Sequence, residues 1–335
     1  MTNNLYKVEF SKKRNFHRAL RRTLYRYGFF LYDNSMDKLK ILLPKGRIYE
    51  NVVELLAGAG ISVKLPERAY RPIVNQDDLE AKVMKPQNIG KLLEMGAHDC
   101  GFTGRDWIDE SGADVEEIMD LGFDKVRIVA AVPSVLNDED LKSKRIVAAT
   151  EYEHIARRWL ESKKIQAVVL HTSGATEVFP PDDADMIIDN TATGRTLAEN
   201  GLRIVETITE SSTRFFASKA ALSNSEKKRK IMELKMLFEA VLNARGRVML
   251  EMNVSAENFD KLVKGLPSMR SPTVSPLYSA GDEKSGGTLG VGGTHTAGFA
   301  VKIAVKQSEV PALLPRLKEL GATDILEYEL RKVLA

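Results

Sequence analysis

Residues 185–196 read Asp-Met-Ile-Ile-Asp-Asn-Thr-Ala-Thr-Gly-Arg-Thr. An apolar run ends in an acid, Asp189. A loop of small residues follows (Thr191, Ala192, Thr193, Gly194), and Thr196 opens a helix expected over 197–200. Ligands of α/β sheets collect at the carboxyl ends of strands. A small-residue loop running into a helix start can turn several backbone N–H groups onto one phosphate. The Thr193 and Thr196 hydroxyls can join that set, and Gly194 admits close approach because it has no Cβ. Asp189 stands one loop away, where a carboxylate can hold a pair of sugar hydroxyls. The pattern suits retention of a ribose 5-phosphate. The plainer alternative is a strand–loop–helix turn with a threonine cap.

Three further stretches carry candidate groups. Lys45 and Arg47 flank Gly46 in Leu42-Leu43-Pro44-Lys45-Gly46-Arg47. Arginine grips a phosphate with two parallel bonds, and lysine acts as a point charge; solvated turn cations would look the same. Arg68 and Tyr70, in Pro66-Glu67-Arg68-Ala69-Tyr70-Arg71-Pro72, add a cation and a ring, the latter for stacking on a base or for packing in a core. In Asp99-Cys100-Gly101-Phe102-Thr103-Gly104-Arg105-Asp106-Trp107, Thr103 and Gly104 can present backbone donors across a cleft. Cys100 reads as a buried strand residue, since no histidine is placed to activate it, and His98 as a structural or solvated one.

These groups need strand ends to hold them, and the pattern supplies strands. Leu39–Leu43 is a short apolar run closed by Pro44, the signature of a buried strand. Ile48, Val52, Leu55, Leu56 and Ala59 recur at helical spacing up to Gly60. Pro86 suits a helix first turn that ends near Gly96. Further strands are expected at Val126–Val132, Arg145–Ala149, Ala167–Leu170, Asp185–Asp189 and Leu202–Thr207, with a helix over Tyr152–Ser162. This alternation predicts α/β architecture with mainly parallel sheets. After Ser225 a long charged helix, Lys227–Ala244, leads into a βαββαβ order, the pattern of a ferredoxin-like domain of roughly 90 residues. Its Gly-rich link, Gly281–Gly293, reads as turn chemistry.

Composition narrows the classes. The chain has 335 residues, 43% hydrophobic and 28% charged, so it is neither disordered throughout nor fibrous. One cysteine among 335 residues excludes an internal disulfide and a cysteine-based zinc site. No apolar run approaches the roughly 18 residues that a membrane helix needs. The net charge of +3 is uneven: residues 1–35 hold eight basic and two acidic residues, which leaves the remainder acidic. That segment has three readings: a dispensable extension before Met36, an arginine-rich targeting presequence, or an arm for nucleic acid or an anionic membrane. The first predicts that a chain starting at Met36 keeps full activity, with neither nucleic acid nor membrane as a partner.

Taken in order, these segments resemble the ATP phosphoribosyltransferases, the first enzymes of histidine biosynthesis. The pieces are Leu-Pro-Lys-Gly-Arg at 43–47, Arg-Ala-Tyr-Arg-Pro at 68–72, Gly-Ala-His-Asp-Cys-Gly-Phe-Thr-Gly-Arg-Asp-Trp at 96–107 and Ser-Gly-Ala-Thr-Glu at 173–177. Asp-Leu-Gly-Phe at 120–123, Asp-Asn-Thr-Ala-Thr-Gly-Arg-Thr-Leu at 189–197, Asn-Gly-Leu at 200–202, Ser-Pro-Thr-Val-Ser-Pro-Leu at 271–277 and Leu-Lys-Glu-Leu-Gly-Ala-Thr-Asp-Ile-Leu at 317–326 complete the set. Asn190, Ala192 and Pro180-Pro181-Asp182-Asp183 depart from the usual family pattern. The resemblance implies a two-lobed core like the type II periplasmic binding proteins and, in the long form, a C-terminal regulatory domain. The boundaries expected are 36–130 with 206–225 for the first lobe, 131–205 for the second, and 226–335 for the regulatory domain. It implies condensation of ATP with phosphoribosyl pyrophosphate, Mg2+ on the pyrophosphate, cytoplasmic location, and hexamers with a dimer as the smaller state. Phosphoribosyl pyrophosphate would be held by Asp189 and Thr191–Thr196, Ala192 and Arg195 included. ATP would be held by Lys45, Gly46, Arg47, Tyr70, Thr103, Gly104 and Glu177. Lys45, Arg47, Arg68 and Asp189 would serve the reaction, and Ser271 and Thr273 would bind histidine as feedback inhibitor. The rival expectations are a type I salvage phosphoribosyltransferase, which usually carries two adjacent acids before its loop, and a non-enzymatic amino-acid sensor or solute-binding protein.

Overall fold

The computed structural model describes residues 38–67, 69–137, 141, 144–267, 271–277 and 298–334. The extension at 1–35, Arg68 and the glycine-rich link lie outside them. In the first lobe the chain runs β1 (Leu39–Pro44), α1 (Arg47–Ala59), β2 (Val63–Lys64), β3 (Ile73–Val74), β4 (Leu79–Met84), α2 (Pro86–Glu94), β5 (Cys100–Gly104), α3 (Arg105–Ser111) and β6 (Glu116–Asp120). It then crosses into the second lobe as β7 (Val126–Pro133), β8 (Ile146–Thr150), α4 (Glu153–Lys163), β9 (Ala167–His171), β10 (Met186–Thr191), α5 (Arg195–Glu199) and β11 (Leu202–Ser211). β12 (Thr213–Ala217) returns to the first lobe, followed by α6 (Lys219–Ser223) and α7 (Ser225–Ala244). The C-terminal unit is β13 (Arg247–Ser255), α8 (Phe259–Gly265), β14 (Thr273–Pro276), β15 (Gly298–Lys306), α9 (Val310–Glu319) and β16 (Ala322–Glu329).

The first lobe's five-stranded sheet has the order β4-β1-β5-β12-β6, and the second lobe's is β11-β7-β10-β8-β9. In each, three neighbouring strands run parallel, and the strands that cross between lobes pair antiparallel to them. β1 is central in its parallel trio, which is why five of its six residues are apolar or proline and buried. The C-terminal sheet, β14-β15-β13-β16, is antiparallel throughout, the order a βαββαβ chain takes in a ferredoxin-like domain. Together these form the two-lobed core with an appended domain that the resemblance implies.

Two boundaries move. Residues 126–130 and 206–211, expected in the first lobe, pair in the second sheet, because β7 and β11 run against each other along their whole length. The passages between lobes therefore fall near 121–125 and at Ser212. Helix α7, expected in the regulatory domain, belongs to the first lobe's core. Its stripe Ile231, Leu234, Phe238 and Val241 packs among Phe102, Phe215 and the buried face of α1. Phe238 lies 5.6 Å from Phe102 and 5.3 Å from Phe215, ring to ring. Gly58 on α1 makes room for this contact: a Cβ there would meet Val241 at 2.9 Å. Helical spacing marks an apolar stripe but does not name the surface that covers it.

Candidate active site

The two lobes meet where β5, β8 and β10 end and the crossing segments pass. There a cleft of about 220 Å³ is lined by Lys45, Arg47, Gly104, Asp106, Trp107, Tyr152, Asn190 and Ser211–Thr213, among others. A larger pocket of about 380 Å³ opens on the other side of Lys45, between Gly46, Tyr49, Leu65, Pro66 and Tyr70. Lys45 thus borders both. Its ammonium lies 5.5 Å from the centre of the Tyr70 ring, an attractive cation–π arrangement. Gly46 sits at φ 94°, in the region that favours glycine, and turns the chain from β1 into α1.

Across the cleft, β10 delivers Asn190, with Asp189 before it and the small-residue loop after it. Asp189 is half-buried. Its carboxylate accepts hydrogen bonds from the Thr176 hydroxyl and from the Asn190 backbone N–H at 2.6 Å. Burial nevertheless outweighs these bonds, and Glu151 and Glu177 add repulsion, so the carboxyl is pushed up to about 6. In the loop, the Gly194 N–H donates to Thr191 Oγ1 at 2.9 Å and the Arg195 N–H to Thr193 Oγ1 at 3.3 Å. Gly194 has φ 82°. A Cβ there would lie 3.3 Å from Ile204 Cδ1, so the left-handed backbone and Ile204 are the structural reasons for glycine. Arg195 pairs along its own helix with Glu199 at 2.7 Å. Ala192, Thr193 and Thr196 are exposed, and Ala192 lines a pocket of about 340 Å³ together with Lys125, Arg127 and Arg214.

The structure brings Lys45, Arg47 and Gly104 to one cleft with Asn190, the neighbour of Asp189. Other residues named from the sequence lie outside that lining. The Thr103 side chain is fully buried, its hydroxyl donating to the Pro86 carbonyl at 3.1 Å, which leaves its backbone as the part that was expected to serve a ligand. Glu177 acts on Asp189 and does not line the pocket beside Tyr70. Ser271 and Thr273 are exposed, Thr273 on the edge strand of the C-terminal sheet. Cys100 is fully buried and burial raises its thiol pKa, which leaves it inert.

Four residues that the sequence did not mark as site candidates sit in this cleft: Asp106, Tyr152, Asn190 and Ser211. Tyr152 donates to Asp106 at 2.8 Å and accepts from Asn190 Nδ2 at 3.1 Å. Ser211 Oγ donates to Asp106 at 2.6 Å. Burial pushes the Asp106 carboxyl up, against the bonds from Ser211 and Tyr152 that pull it down. A Cβ on Gly104 would collide with that carboxylate, which explains the glycine better than a ligand does. The missed signal was positional: Asp106 and Tyr152 both stand just past the carboxyl end of a strand, where sheet ligands bind.

Fold and cleft together define a two-lobed α/β protein with a cleft between its lobes and an appended ferredoxin-like domain. The model of the family described as ATP phosphoribosyltransferase, HisG, matches residues 85–240, and that of the HisG C-terminal domain matches residues 244–332. The ATP phosphoribosyltransferase of Chlorobium phaeovibrioides is 38% identical over 310 residues, covering 90% of this chain and 99% of that one. That of Thermodesulfovibrio yellowstonii is 40% identical over 304 residues, covering 88% and 98%. A chain of the ATP phosphoribosyl transferase (HisG:HisZ) complex from Thermotoga maritima superposes with a TM-score of 0.54 at 25% identity, over 60% of this chain and 98% of that one. The chain belongs to the ATP phosphoribosyltransferase family.

Proposed function

We propose that this chain joins N1 of the ATP adenine to C1 of phosphoribosyl pyrophosphate and releases pyrophosphate, opening histidine biosynthesis. The observation that carries the reading beyond family membership is the pairing across one cleft. On one side stands Asn190, next in the chain to Asp189 and the small-residue loop; on the other, Lys45 and Arg47 follow the end of β1. The ring nitrogen is the nucleophile, so no covalent enzyme intermediate is needed. The C1–O bond to pyrophosphate breaks as the C1–N1 bond forms, the ribose gaining positive and the leaving group negative charge. Positioning and electrostatics then supply most of the rate.

In this reading the backbone of Thr191–Thr196 cradles the 5-phosphate and Asp189 takes the ribose hydroxyls. The Gly194 and Arg195 N–H groups, now bonded to Thr191 and Thr193, exchange those partners for the phosphate. Lys45 and Arg47 offset the polyphosphate charge, with Arg68 as a further candidate, and Tyr70 and Tyr49 offer faces for the adenine. Mg2+ would be carried on the donor's diphosphate and would offset its charge. Among the described residues no three histidine, cysteine or carboxylate groups are arranged to hold a metal. Burial first, and then the charges of Glu151 and Glu177, lift the Asp189 carboxyl, so a cation arriving with the donor would favour its ionised form. The C-terminal domain would bind histidine as inhibitor, with Ser271 and Thr273 at its edge strand. The assembly would be a cytoplasmic hexamer built from dimers.

The test is a spectrophotometric assay for an N1-substituted adenine nucleotide. A signal that needs ATP, phosphoribosyl pyrophosphate and Mg2+ together, and falls as histidine is added, supports the reading. A signal with another base in place of ATP supports a salvage enzyme instead.

A further inference from the structure

Tyr152 belongs to the second lobe by its backbone. Its N–H donates to Thr150 Oγ1 at 2.8 Å, and that hydroxyl donates to the Ile188 carbonyl of β10 at 2.6 Å. Its side chain belongs to the first lobe. The ring, 1% exposed, stacks on Trp107 of α3 at 4.4 Å, and the hydroxyl donates to Asp106 of the same helix at 2.8 Å. The other Asp106 oxygen accepts from Ser211 Oγ at 2.6 Å, while the Asp106 N–H donates back to Ser211 at 3.0 Å. The acid is thereby fixed, and the tyrosine oxygen has one direction left in which to accept. That direction is filled by Asn190 Nδ2 at 3.1 Å, and the same amide donates to Asp189 Oδ1 at 3.2 Å.

We propose that Tyr152 is a positioning residue for the sugar donor: held by Asp106, its hydroxyl aims the Asn190 amide, and the amide braces the carboxylate plane of Asp189. This rests on the reading of Asp189 as the acceptor for the ribose hydroxyls. Asn190 is exposed, so without the tyrosine oxygen its amide turns to water and Asp189 Oδ1 keeps only one backbone donor. With it, Oδ1 is held by two donors and Oδ2 by Thr176, which leaves the outward lone pairs pointing one way. The buried part of this network, Asp106, Tyr152 and Ser211, has its partners in place, and a satisfied buried network is stiff. Because the first lobe supplies its anchor, the donor site is complete only while α3 and the start of α4 are packed together. Glu110 reinforces that joint, accepting from the His154 and Ile155 N–H groups at 2.9 and 3.0 Å.

Steady-state kinetics of the full chain test this with Tyr152→Phe, Asn190→Leu and the double variant. The expected result for each single variant is a rise of about five- to tenfold in KM for phosphoribosyl pyrophosphate, the scale of one hydrogen bond. KM for ATP and kcat stay within about twofold, and the double variant is no worse than either single one. If Tyr152 only fastens the lobes, Tyr152→Phe raises both KM values and Asn190→Leu is silent, and the proposal falls. Additive effects in the double variant overturn it too. Should Tyr152→Phe fail to fold, the exposed Asn190→Leu carries the test alone. Asp189→Asn separates the two levels. If it raises that KM while Asn190→Leu does not, the positioning role is wrong and the site stands; if it leaves that KM unchanged, the site itself is wrong.

Discussion

Asp189 should cost the unliganded protein stability, and the cost should depend on pH in a defined way. Its carboxyl titrates near 6 in the fold against an ordinary 3.8, because burial and the charges of Glu151 and Glu177 oppose ionisation. That difference makes the ionised group about 3 kcal/mol worse in the folded than in the unfolded chain, as an upper figure. The sign follows from proton binding. Between about pH 4 and 6 the folded state holds the proton that the unfolded state has lost, so stability falls as pH rises through that window and then levels off. Asp189→Asn keeps the shape and removes the charge. The variant should therefore be more stable than wild type at pH 8, with the advantage smaller at pH 5 by about 1.4 kcal/mol. Urea unfolding of both proteins without ligand at pH 5, 6, 7 and 8 reads this as a gap between midpoints that widens up to pH 7 and then holds. The same variant should lose about ten- to hundredfold in kcat/KM for phosphoribosyl pyrophosphate, the scale of a charged hydrogen bond. A stability gap that is flat with pH, or widest at pH 5, would refute the argument that Asp189 is held against its solvation.

The wild-type profile of kcat/KM for the sugar donor should show an acid limb near pH 6, set by Asp189. Glu177→Gln removes one of the charges that raise it and should move that limb to lower pH; an upward move would reverse the assigned sign. Gly194→Val forces a β-branched side chain onto a φ of 82° and against Ile204. It should abolish sugar-donor binding while leaving the protein folded, at a cost of about 1–3 kcal/mol, measured by equilibrium binding alongside a thermal melt, and near-normal affinity would count against the loop. Phe238→Ala empties the centre of an aromatic trio and should cost about 3–5 kcal/mol in denaturant unfolding. Catalysis per folded molecule should be kept, since α7 touches the first lobe's core and lines none of the three pockets described here.

Much of the architecture was legible because burial on both faces leaves a local mark. Leu39–Leu43 reads as a near-continuous apolar run, and it is the central strand of a parallel trio. The βαββαβ order after residue 246 was legible for the same reason, each element carrying its own period. The loop after Asp189 was visible because small residues, a glycine and an acid stand within a few positions of one another. What stayed hidden depends on partners distant in sequence. Nothing near Phe238 names Phe102 and Phe215 as its cover, so α7 was assigned to the wrong domain. Thr103 and Gly104 are adjacent, but strand alternation sends one side chain into the core and sets the other residue at the helix start. Tyr152 lies 46 residues from Asp106 and 38 from Asn190, and only the meeting of the two lobes brings the three together.

The most direct measurement is a crystal structure of the full chain with phosphoribosyl pyrophosphate and Mg2+. The 5-phosphate should rest on the backbone of residues 191–196, with the ribose hydroxyls on Asp189 and the diphosphate turned toward Lys45 and Arg47. Density for the phosphosugar in the pocket beside Tyr70, with the segment after Asp189 unchanged and empty, would contradict the account.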